Sequence, residues 1–198
     1  MRKLALSDKI LLKVDKAARY IGGEVNSVMK DKNEIDIRFA MCFPDVYEIG
    51  MSNLGMMILY NMFNQREDVW CERLFSPWPD LDKVMREQNI PLFALESQEP
   101  IRDFDFLGIT LGYEMCYTNI LQVLDLSGIP LKSADRGEDF PIVIGGGACA
   151  YNPEPLAPFF LTCFILERAR RFTMLFFDAY KANKKVGGQQ ERFPSGSS

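Results

Sequence analysis

The residues best suited to hold a cofactor follow an apolar run that stops abruptly. Residues 39–43 are all apolar and lead directly to Pro44. The small and polar residues just beyond it are Asp45, Tyr47, Glu48, Gly50 and Ser52. A buried strand that ends in such residues places them at the carboxyl edge of a sheet, where open α/β folds bind ligands. The pattern therefore predicts a cofactor site at this edge.

Two further apolar runs end in the same way. Residues 104–111 include Thr110 and lead to Gly112 and Tyr113. Residues 141–144 lead to Gly145, Gly146 and Gly147, and Asn152 follows a few residues later. Three residues without a Cβ let a bulky ligand lie against the main chain. No G-x-G-x-x-G pattern accompanies them, so a nicotinamide or flavin site of the usual kind is not favoured.

The three strand ends are expected to face one crevice that binds a small-molecule cofactor. The candidate cofactor-binding residues are Asp45, Tyr47, Glu48, Gly50, Ser52, Thr110, Gly112, Tyr113, Gly145, Gly146, Gly147 and Asn152. Neither a catalytic residue nor a metal ligand is predicted among them.

Composition narrows the class of protein. The chain has 198 residues, 47% of them hydrophobic and 25% charged, which is enough for one substantial core. The net charge of -4 argues against nucleic acid as a partner. No apolar stretch approaches the roughly 20 residues that cross a bilayer, so no membrane partner is expected. The cytoplasm is the expected compartment.

The cysteine and histidine contents exclude several chemistries. Five cysteines, at positions 42, 71, 116, 149 and 163, show no C-x-x-C spacing and are expected to be reduced, buried thiols. The sequence contains no histidine. Catalytic triads that need an imidazole, the usual zinc hydrolases and histidine ligation of haem or cobalt are therefore excluded.

Apolar runs alternate with amphipathic stretches along the chain. The pattern predicts strands at 35–43, 69–75, 91–95, 104–111 and 141–144, and helices at 7–20, 52–65, 77–88 and 118–126. Strands separated by helices of this length predict an α/β fold. We expect a doubly wound, Rossmann-like or flavodoxin-like layer with a mainly parallel five-stranded sheet and flanking helices.

Two motifs resemble parts of cobalamin-binding domains. Asp45-Val46-Tyr47-Glu48-Ile49-Gly50 resembles the D-x-H-x-x-G signature, with tyrosine in the histidine position. Gly145-Gly146-Gly147 resembles the G-G element that accommodates the nucleotide tail of the cofactor in that fold. Further segments between residues 17 and 160 resemble the amino-terminal part of a family of cobalamin-binding-domain radical SAM proteins. They are Ala18-Arg19-Tyr20, Glu24, Asn26-Ser27, Phe43-Pro44-Asp45, Gly50-Met51-Ser52-Asn53-Leu54-Gly55, Trp70-Cys71-Glu72-Arg73, Pro77-Trp78-Pro79-Asp80 and Asn152-Pro153-Glu154-Pro155.

The resemblance implies an accessory domain that is not catalytic alone. Its implied cofactor is cobalamin in the base-off state, because Tyr47 replaces the histidine and an ordinary phenol has a pKa of about 10. The catalytic half of such proteins holds a [4Fe-4S] cluster that cleaves S-adenosylmethionine, and its C-x-x-x-C-x-x-C loop is missing from this sequence. The resemblance therefore implies the missing radical SAM domain as a partner.

The resemblance breaks down after residue 160. The family pattern there has an aspartate, a short strand and Gly-Glu-Gly-Glu, whereas this chain continues with Leu161 and the basic stretch 168–171. Residues 161–174 can be back-translated so that a start two nucleotides later restores the family pattern. We therefore predict a frameshift near residues 161–176, with the frame recovered near Phe177.

The predicted domain organisation follows from these boundaries. Residues 1–34 form an amino-terminal helix and a segment leading to the first strand, and residues 35–160 form the cobalamin-binding-like α/β domain. Residues 161–183 are the altered carboxyl-terminal segment with a helix. Residues 184–198, rich in Gly, Gln and Ser, form a disordered tail.

Two other functions fit the same residues. In one, the chain is a non-catalytic interaction module with a degenerate cofactor site, and Trp70, Phe75 and Trp78 dock the absent domain. In the other, it is an independent small-molecule-binding α/β enzyme with Asp45, Glu48 and Tyr113 as acid and base candidates.

Overall fold

A parallel sheet forms the centre of the protein. The computed structural model describes residues 4–159, 163–165 and 169–185. Within these ranges the strands are β1 (Ile37–Phe43), β2 (Val69–Phe75), β3 (Phe106–Thr110), β4 (Ile142–Gly146) and β5 (Cys163–Ile165). All neighbours pair in parallel, in the order β2-β1-β3-β4-β5. The prediction of an α/β fold with a parallel sheet and flanking helices is confirmed.

Helices cover both faces of this sheet. They are α1 (Asp8–Leu11), α2 (Tyr47–Met51), α3 (Leu54–Asn64), α4 (Pro79–Gln88), α5 (Tyr117–Leu126) and α6 (Ala169–Lys185). Met56 of α3 and Phe177 of α6 share a core cluster with Phe39, whereas α4 and α5 belong to the cluster that contains Ala40 and Cys42. Successive residues of a strand point to opposite faces, so covering both faces produces the continuous apolar runs seen in the sequence.

None of the helices in the described ranges is long and apolar enough to cross a bilayer.

Four of the five predicted strands belong to the sheet, and the prediction for residues 91–95 is wrong. This segment is a loop in which Phe93 makes an isolated antiparallel bridge to Pro100. Its apolar residues are buried by packing rather than by strand pairing. A short apolar run in the sequence does not distinguish a buried loop from a strand. The predicted helix 7–20 is likewise replaced by the short α1 and a 3₁₀ turn, Ala17–Arg19. The Asp15 N–H donates to the Asp80 carboxylate (2.9 Å), a contact distant in sequence that overrides local helical spacing.

The outer edge of β2 is closed by buried charges. The Arg73 side chain is 0% exposed, and its Nε donates to Glu96 Oε1 at 2.6 Å. The Arg73 backbone N–H donates to the other oxygen of the same carboxylate (2.6 Å), and the guanidinium also donates to Ser27 Oγ (2.9 Å). The carboxylate of the preceding residue, Glu72, accepts a hydrogen bond from the Arg38 guanidinium at 2.7 Å. The Glu96 carboxylate thus satisfies a backbone N–H of β2 that an edge strand would otherwise expose.

Helix α6 forms ion pairs at the amino ends of the strands. Asp36, Asp68 and Asp105 immediately precede β1, β2 and β3, and Lys181 forms ion pairs with the first two. Lys184 pairs with Asp105 at 2.9 Å. Hydrogen bonds, first from Arg66 and then from Lys181, hold the pKa of Asp68 well below its usual value.

Helix α6 ends at Lys185, within the segment predicted as a tail. Lys184 and Lys185 belong to the helix, whereas the predicted disordered tail began at residue 184. The rest of that tail, residues 186–198, lies outside the described residues, as do residue 160 and residues 161–162 and 166–168 of the altered segment.

Candidate functional site

A cleft of about 310 Å³ opens at the carboxyl ends of β1, β3 and β4. One wall is the sheet, and the other is α3 through residues such as Met56 and Leu59. The strand order reverses between β1 and β3, and ligands of open α/β sheets bind at such a switch point. The volume is near the lower end of the roughly 300–1,000 Å³ found for ligand pockets. The cleft is therefore the candidate ligand site.

Five of the residues predicted from the sequence line this cleft. They are Thr110, Gly112, Gly145, Gly146 and Gly147. Gly145 and Gly146 are the last residues of β4 rather than part of the loop after it. The Thr110 hydroxyl donates to the Cys42 carbonyl (3.2 Å), which ties the end of β3 to β1.

Two backbone hydrogen bonds join the loops that follow β3 and β4. The Leu111 N–H donates to the Gly146 carbonyl (2.6 Å), and the Cys149 N–H donates to the Leu111 carbonyl (2.9 Å). Gly147 lies between these bonds with φ +132°, a conformation that residues with a Cβ rarely adopt. A Cβ on Gly147 would lie 2.6 Å from the Leu111 carbonyl oxygen. Glycine is thus required for this close approach.

Gly147→Ala is expected to lower the free energy of unfolding by about 1–3 kcal/mol, the usual cost of a strained backbone position. Urea denaturation measures the change. Gly137→Ala is the matched control, because Gly137 is exposed and a Cβ there has no atom within 4 Å. Equal stability of the two variants would contradict the requirement for glycine at position 147.

Asp45 and Tyr113 connect the loops that follow β1 and β3. The Tyr113 hydroxyl donates to the Asp45 carboxylate, and Asp45 Oδ1 also accepts from the Val46 N–H at 2.7 Å. Burial, with Asp45 as the next cause, raises the pKa of the Tyr113 phenol. The phenol is therefore a hydrogen-bond donor across the switch point, beside Gly112 of the cleft.

Tyr47 points away from the cleft. Its hydroxyl donates to Glu24 at 3.0 Å, and its ring packs edge-on against Phe75 at 5.5 Å between centroids. Burial, followed by the charge of Glu24, raises the pKa of this phenol. Tyr47 is thus a protonated side chain held by the amino-terminal segment.

The other candidate residues also lie outside the cleft lining. Glu48 is exposed and pairs with Lys16 (3.2 Å) and Arg19 (3.0 Å). Desolvation opposes these contacts, but the hydrogen bonds outweigh it and lower the pKa of Glu48. A Cβ on Gly50 would lie 2.2 Å from the Phe75 ring, so this glycine serves packing. Ser52 donates to the Ile49 carbonyl (2.9 Å), and the backbone N–H of the exposed Asn152 donates to the Cys149 carbonyl (3.1 Å).

Most of the cleft wall was not identified from the sequence. The additional lining residues are Phe39, Met41, Phe43, Asn53, Gly55, Met56, Leu59, Phe63, Gly108, Ile109, Leu111 and Ile144. The sequence did contain one signal, Gly108, because a glycine inside an apolar strand often marks a place where another group approaches the backbone closely. A Cβ on Gly108 would lie 2.3 Å from the Phe39 ring, which fills that space. The other apolar residues look like ordinary core.

The cysteines and tryptophans have structural surroundings. Among the residues that are described, Cys42, Cys71, Cys116 and Cys149 are free and buried, and no group of His, Cys, Asp and Glu is arranged to hold a metal ion. Burial raises the pKa of the Cys42 thiol. Trp70 and Phe75 are buried, so Trp78, 45% exposed, is the accessible member of the aromatic surface expected from the sequence.

The fold and the cleft together define an α/β domain with a candidate ligand site at the carboxyl edge of its sheet. A profile of the family described as "Radical SAM proteins, N-terminal" matches residues 55–195. This match covers more than half of the chain, so the chain belongs to that family.

One relative matches over a shorter region. The uncharacterized protein MJ0966 of Methanocaldococcus jannaschii is 25% identical over 122 residues, which are 61% of this chain and 22% of that protein. The matched region thus spans about a fifth of the length of the curated relative.

Proposed function

We propose that this chain is the cofactor-binding part of a radical SAM protein, an accessory cobalamin-binding-like domain that works with a separate cluster-bearing domain. The observation that carries the proposal is the glycine-lined cleft at the carboxyl ends of β1, β3 and β4. The strand order supports it too, since flavodoxin-like, doubly wound sheets have this order and bind their ligand at the β1/β3 switch point.

The cleft is suited to one part of a corrinoid. Its volume of about 310 Å³ has room for a group the size of a nucleotide base, whereas a macrocycle would have to lie outside, over the strand ends. Gly112 lets such a group approach the main chain closely, because a Cβ there meets no atom within 4 Å. The surroundings of the cleft therefore fit the tail of the cofactor.

Tyr47 does not fit the role of a cobalt ligand. Its hydroxyl is engaged with Glu24, and its raised pKa keeps the phenol protonated. Cobalamin would thus be held base-off, without an imidazole or phenolate from this chain. When bound, the corrinoid supplies radical or group-transfer chemistry, and the residues of the chain bind it, orient it and exclude water.

The cluster chemistry is assigned to another domain. No three of the five cysteines have the C-x-x-x-C-x-x-C spacing that holds a [4Fe-4S] cluster. The cluster and S-adenosylmethionine would belong to the missing radical SAM domain, which is the proposed protein partner. Neither nucleic acid nor a membrane is proposed as a partner, and the cytoplasm is the proposed compartment.

A frameshift between residues 161 and 176 is part of the proposal. Arg136 is buried, and its guanidinium donates to the Pro130 and Leu131 carbonyls at 2.7 Å each, but among the described residues its Nη1 has no hydrogen-bond partner. The preceding turn, Ser133–Asp135, packs against Glu154–Phe159, close in sequence to the position where the family has an aspartate and this chain has leucine. An unpaired buried cation is unfavourable, which supports the loss of a carboxylate. The underlying nucleotide sequence tests the frameshift. If a single-base slip does not relate the two reading frames, the frameshift is wrong.

Visible spectroscopy of the purified chain with hydroxocobalamin tests the function. We expect a bound, base-off spectrum. Gly112→Leu should weaken binding about tenfold or more, because a Cβ at Gly112 meets no atom within 4 Å and the longer side chain can enter the cleft mouth. Gly137→Leu, at an equally open position outside the cleft, should leave affinity unchanged.

Other results would favour the remaining functions. A folded chain that retains no cobalamin would support the non-catalytic interaction module. Turnover of a small molecule without added iron or S-adenosylmethionine would support the independent enzyme. Equal weakening by the two leucine variants would place the corrinoid outside the cleft.

A further inference from the structure

We propose that residues 24–30, the amino-terminal strap, hold the wall of the cleft formed by α2 and α3 and thereby control how far the cleft opens. The assignment rests on the ligand site proposed above and adds the segment that regulates it.

The α3 wall borders open space on its inner side. The cleft of about 310 Å³ lies between the sheet and α3 residues such as Met56 and Leu59. Apolar groups that border a space gain fewer packing contacts than groups in a filled core. The position of this wall therefore depends more strongly on contacts made elsewhere on α2 and α3.

Val28 of the strap links the middle of α3 to β2. Its N–H donates to the Tyr60 hydroxyl on α3 (2.8 Å), and its carbonyl accepts from Trp70 Nε1 on β2 (3.0 Å). Because one residue makes both contacts, α3 cannot move away from β2 at Tyr60 without breaking one of them.

Lys30 of the strap holds the end of α3. Its Nζ donates to the carbonyls of Asn64 (3.0 Å) and Arg66 (2.5 Å), and also to the Val69 carbonyl at 2.6 Å. The three hydrogens of the ammonium thus match three backbone acceptors, and a cation at the carboxyl end of a helix is favourable. Since Asn64 ends α3 and Val69 begins β2, Lys30 fixes one to the other.

Glu24 of the strap holds α2, the first part of the wall. Its Oε1 accepts from the Tyr47 hydroxyl at 3.0 Å, and its Oε2 lies 3.7 Å from the Arg73 guanidinium. Arg73 also donates to Asn26 Oδ1 at 3.1 Å. Because Tyr47 is on α2 and Arg73 is on β2, Glu24 connects the wall to the same strand as Val28 and Lys30 do.

The strap itself lies at the surface. Val25 and Met29 are exposed, and polar contacts hold the residues around them. Segments with few buried apolar contacts open at a lower free energy than the core. Over the described ranges, none of residues 24–30 lines the cleft. The strap can therefore release the wall without unfolding of the sheet, and it acts on a ligand only through α2 and α3.

Lys30→Met in the full chain tests the assignment without any ligand. The variant keeps an apolar stem but removes the three donors. Hydrogen exchange of backbone amides, followed by mass spectrometry, compares α3 with β3 and α5. We expect exchange in α3 to become about tenfold faster or more, because hydrogen bonds from a charged donor are lost. Exchange in β3 and α5 should change by less than about threefold.

Two further variants complete the test. Lys32→Met is the matched control, because Lys32 is close in the sequence but its ammonium pairs with Glu99 at 2.9 Å, so exchange in α3 should not change. Tyr60→Phe removes the acceptor of the Val28 N–H and keeps the ring, so it should also accelerate exchange in α3, by a smaller factor. It decides the assignment even if Lys30→Met does not fold.

Hydroxocobalamin tests the coupling between the strap and the site. Lys30→Met should weaken its binding about threefold or more. Because coupling between two sites is reciprocal, bound hydroxocobalamin should slow amide exchange at residues 24–30 of the wild type.

Each outcome decides the assignment. Unchanged exchange in α3, an equal rise in α3, β3 and α5, or unchanged affinity of Lys30→Met for hydroxocobalamin would overturn it. If the wild type binds no hydroxocobalamin, the corrinoid proposal fails, and the selective change of exchange in α3 alone decides the role of the strap. The two failures are therefore distinguishable.

Discussion

Arg73→Met is expected to lower the free energy of unfolding by about 3–5 kcal/mol at neutral pH, which is the usual cost of removing one partner of a buried ion pair. Both Arg73 and Glu96 are 0% exposed, and their side chains are 2.6 Å apart. The variant leaves the Glu96 carboxylate buried without its cation. Urea denaturation followed by circular dichroism measures the loss.

The effect should depend on pH. Burial, opposed by Arg73, raises the pKa of Glu96 from 4.5 to about 6. A carboxyl whose pKa is higher in the folded state contributes stability that is fully present below the unfolded pKa and is lost as pH rises through the folded one. Without Arg73 the pKa of Glu96 should rise further, so the difference between variant and wild type should grow between pH about 5 and about 7.

A surface arginine provides the control for this prediction. Arg86 pairs with Asp82 at 3.1 Å, but its side chain is 47% exposed. Arg86→Met should therefore change stability by less than about 1 kcal/mol, with little dependence on pH. If Arg73→Met behaves like Arg86→Met, the buried pair does not stabilise the fold.

Phe177→Ala is expected to lower the free energy of unfolding by about 3–5 kcal/mol, because it removes a fully buried ring. Phe177 is 0% exposed and lies 5.6 Å from Phe39, 5.3 Å from Phe63 and 5.7 Å from Phe106, measured between ring centroids. Thermal and urea denaturation measure the effect.

The matched control is on the same helix. Leu175 is 60% exposed, so Leu175→Ala should change stability by no more than about 0.5 kcal/mol. Similar losses for both variants would mean that α6 is not packed against the sheet. A large loss for Phe177→Ala alone would show that this part of the carboxyl-terminal segment belongs to the core.

The sequence predicted the inner strands because burial on both faces leaves a continuous apolar run. It failed at residues 91–95, where an equally apolar run is buried as a loop against β2. Most of the predicted helix 7–20 is absent, and Asp15 within it contacts Asp80, which is 65 residues away. Such distant contacts leave no local pattern in the sequence.

Only the part of the candidate site that adjoins strand ends could be predicted from the sequence. Thr110, Gly112 and the glycines at 145–147 end or directly follow strands, so their position at the carboxyl edge could be inferred. Tyr47 also follows a strand, but the chain turns at once into the short α2 and directs the phenol towards Glu24. The wall supplied by α3 has the composition of ordinary core, and its role depends on the space left between helix and sheet.

The carboxylates of Glu72 and Glu96 have a consequence for how molecules of this protein can associate. Glu96 accepts the backbone N–H of Arg73 on β2, and Glu72 holds the adjoining loop by accepting the N–H of Ser97. A strand from another molecule would therefore find the Arg73 donor of β2 already used. Sheet extension through this part of β2 would first have to displace the Glu96 carboxylate from the Arg73 N–H.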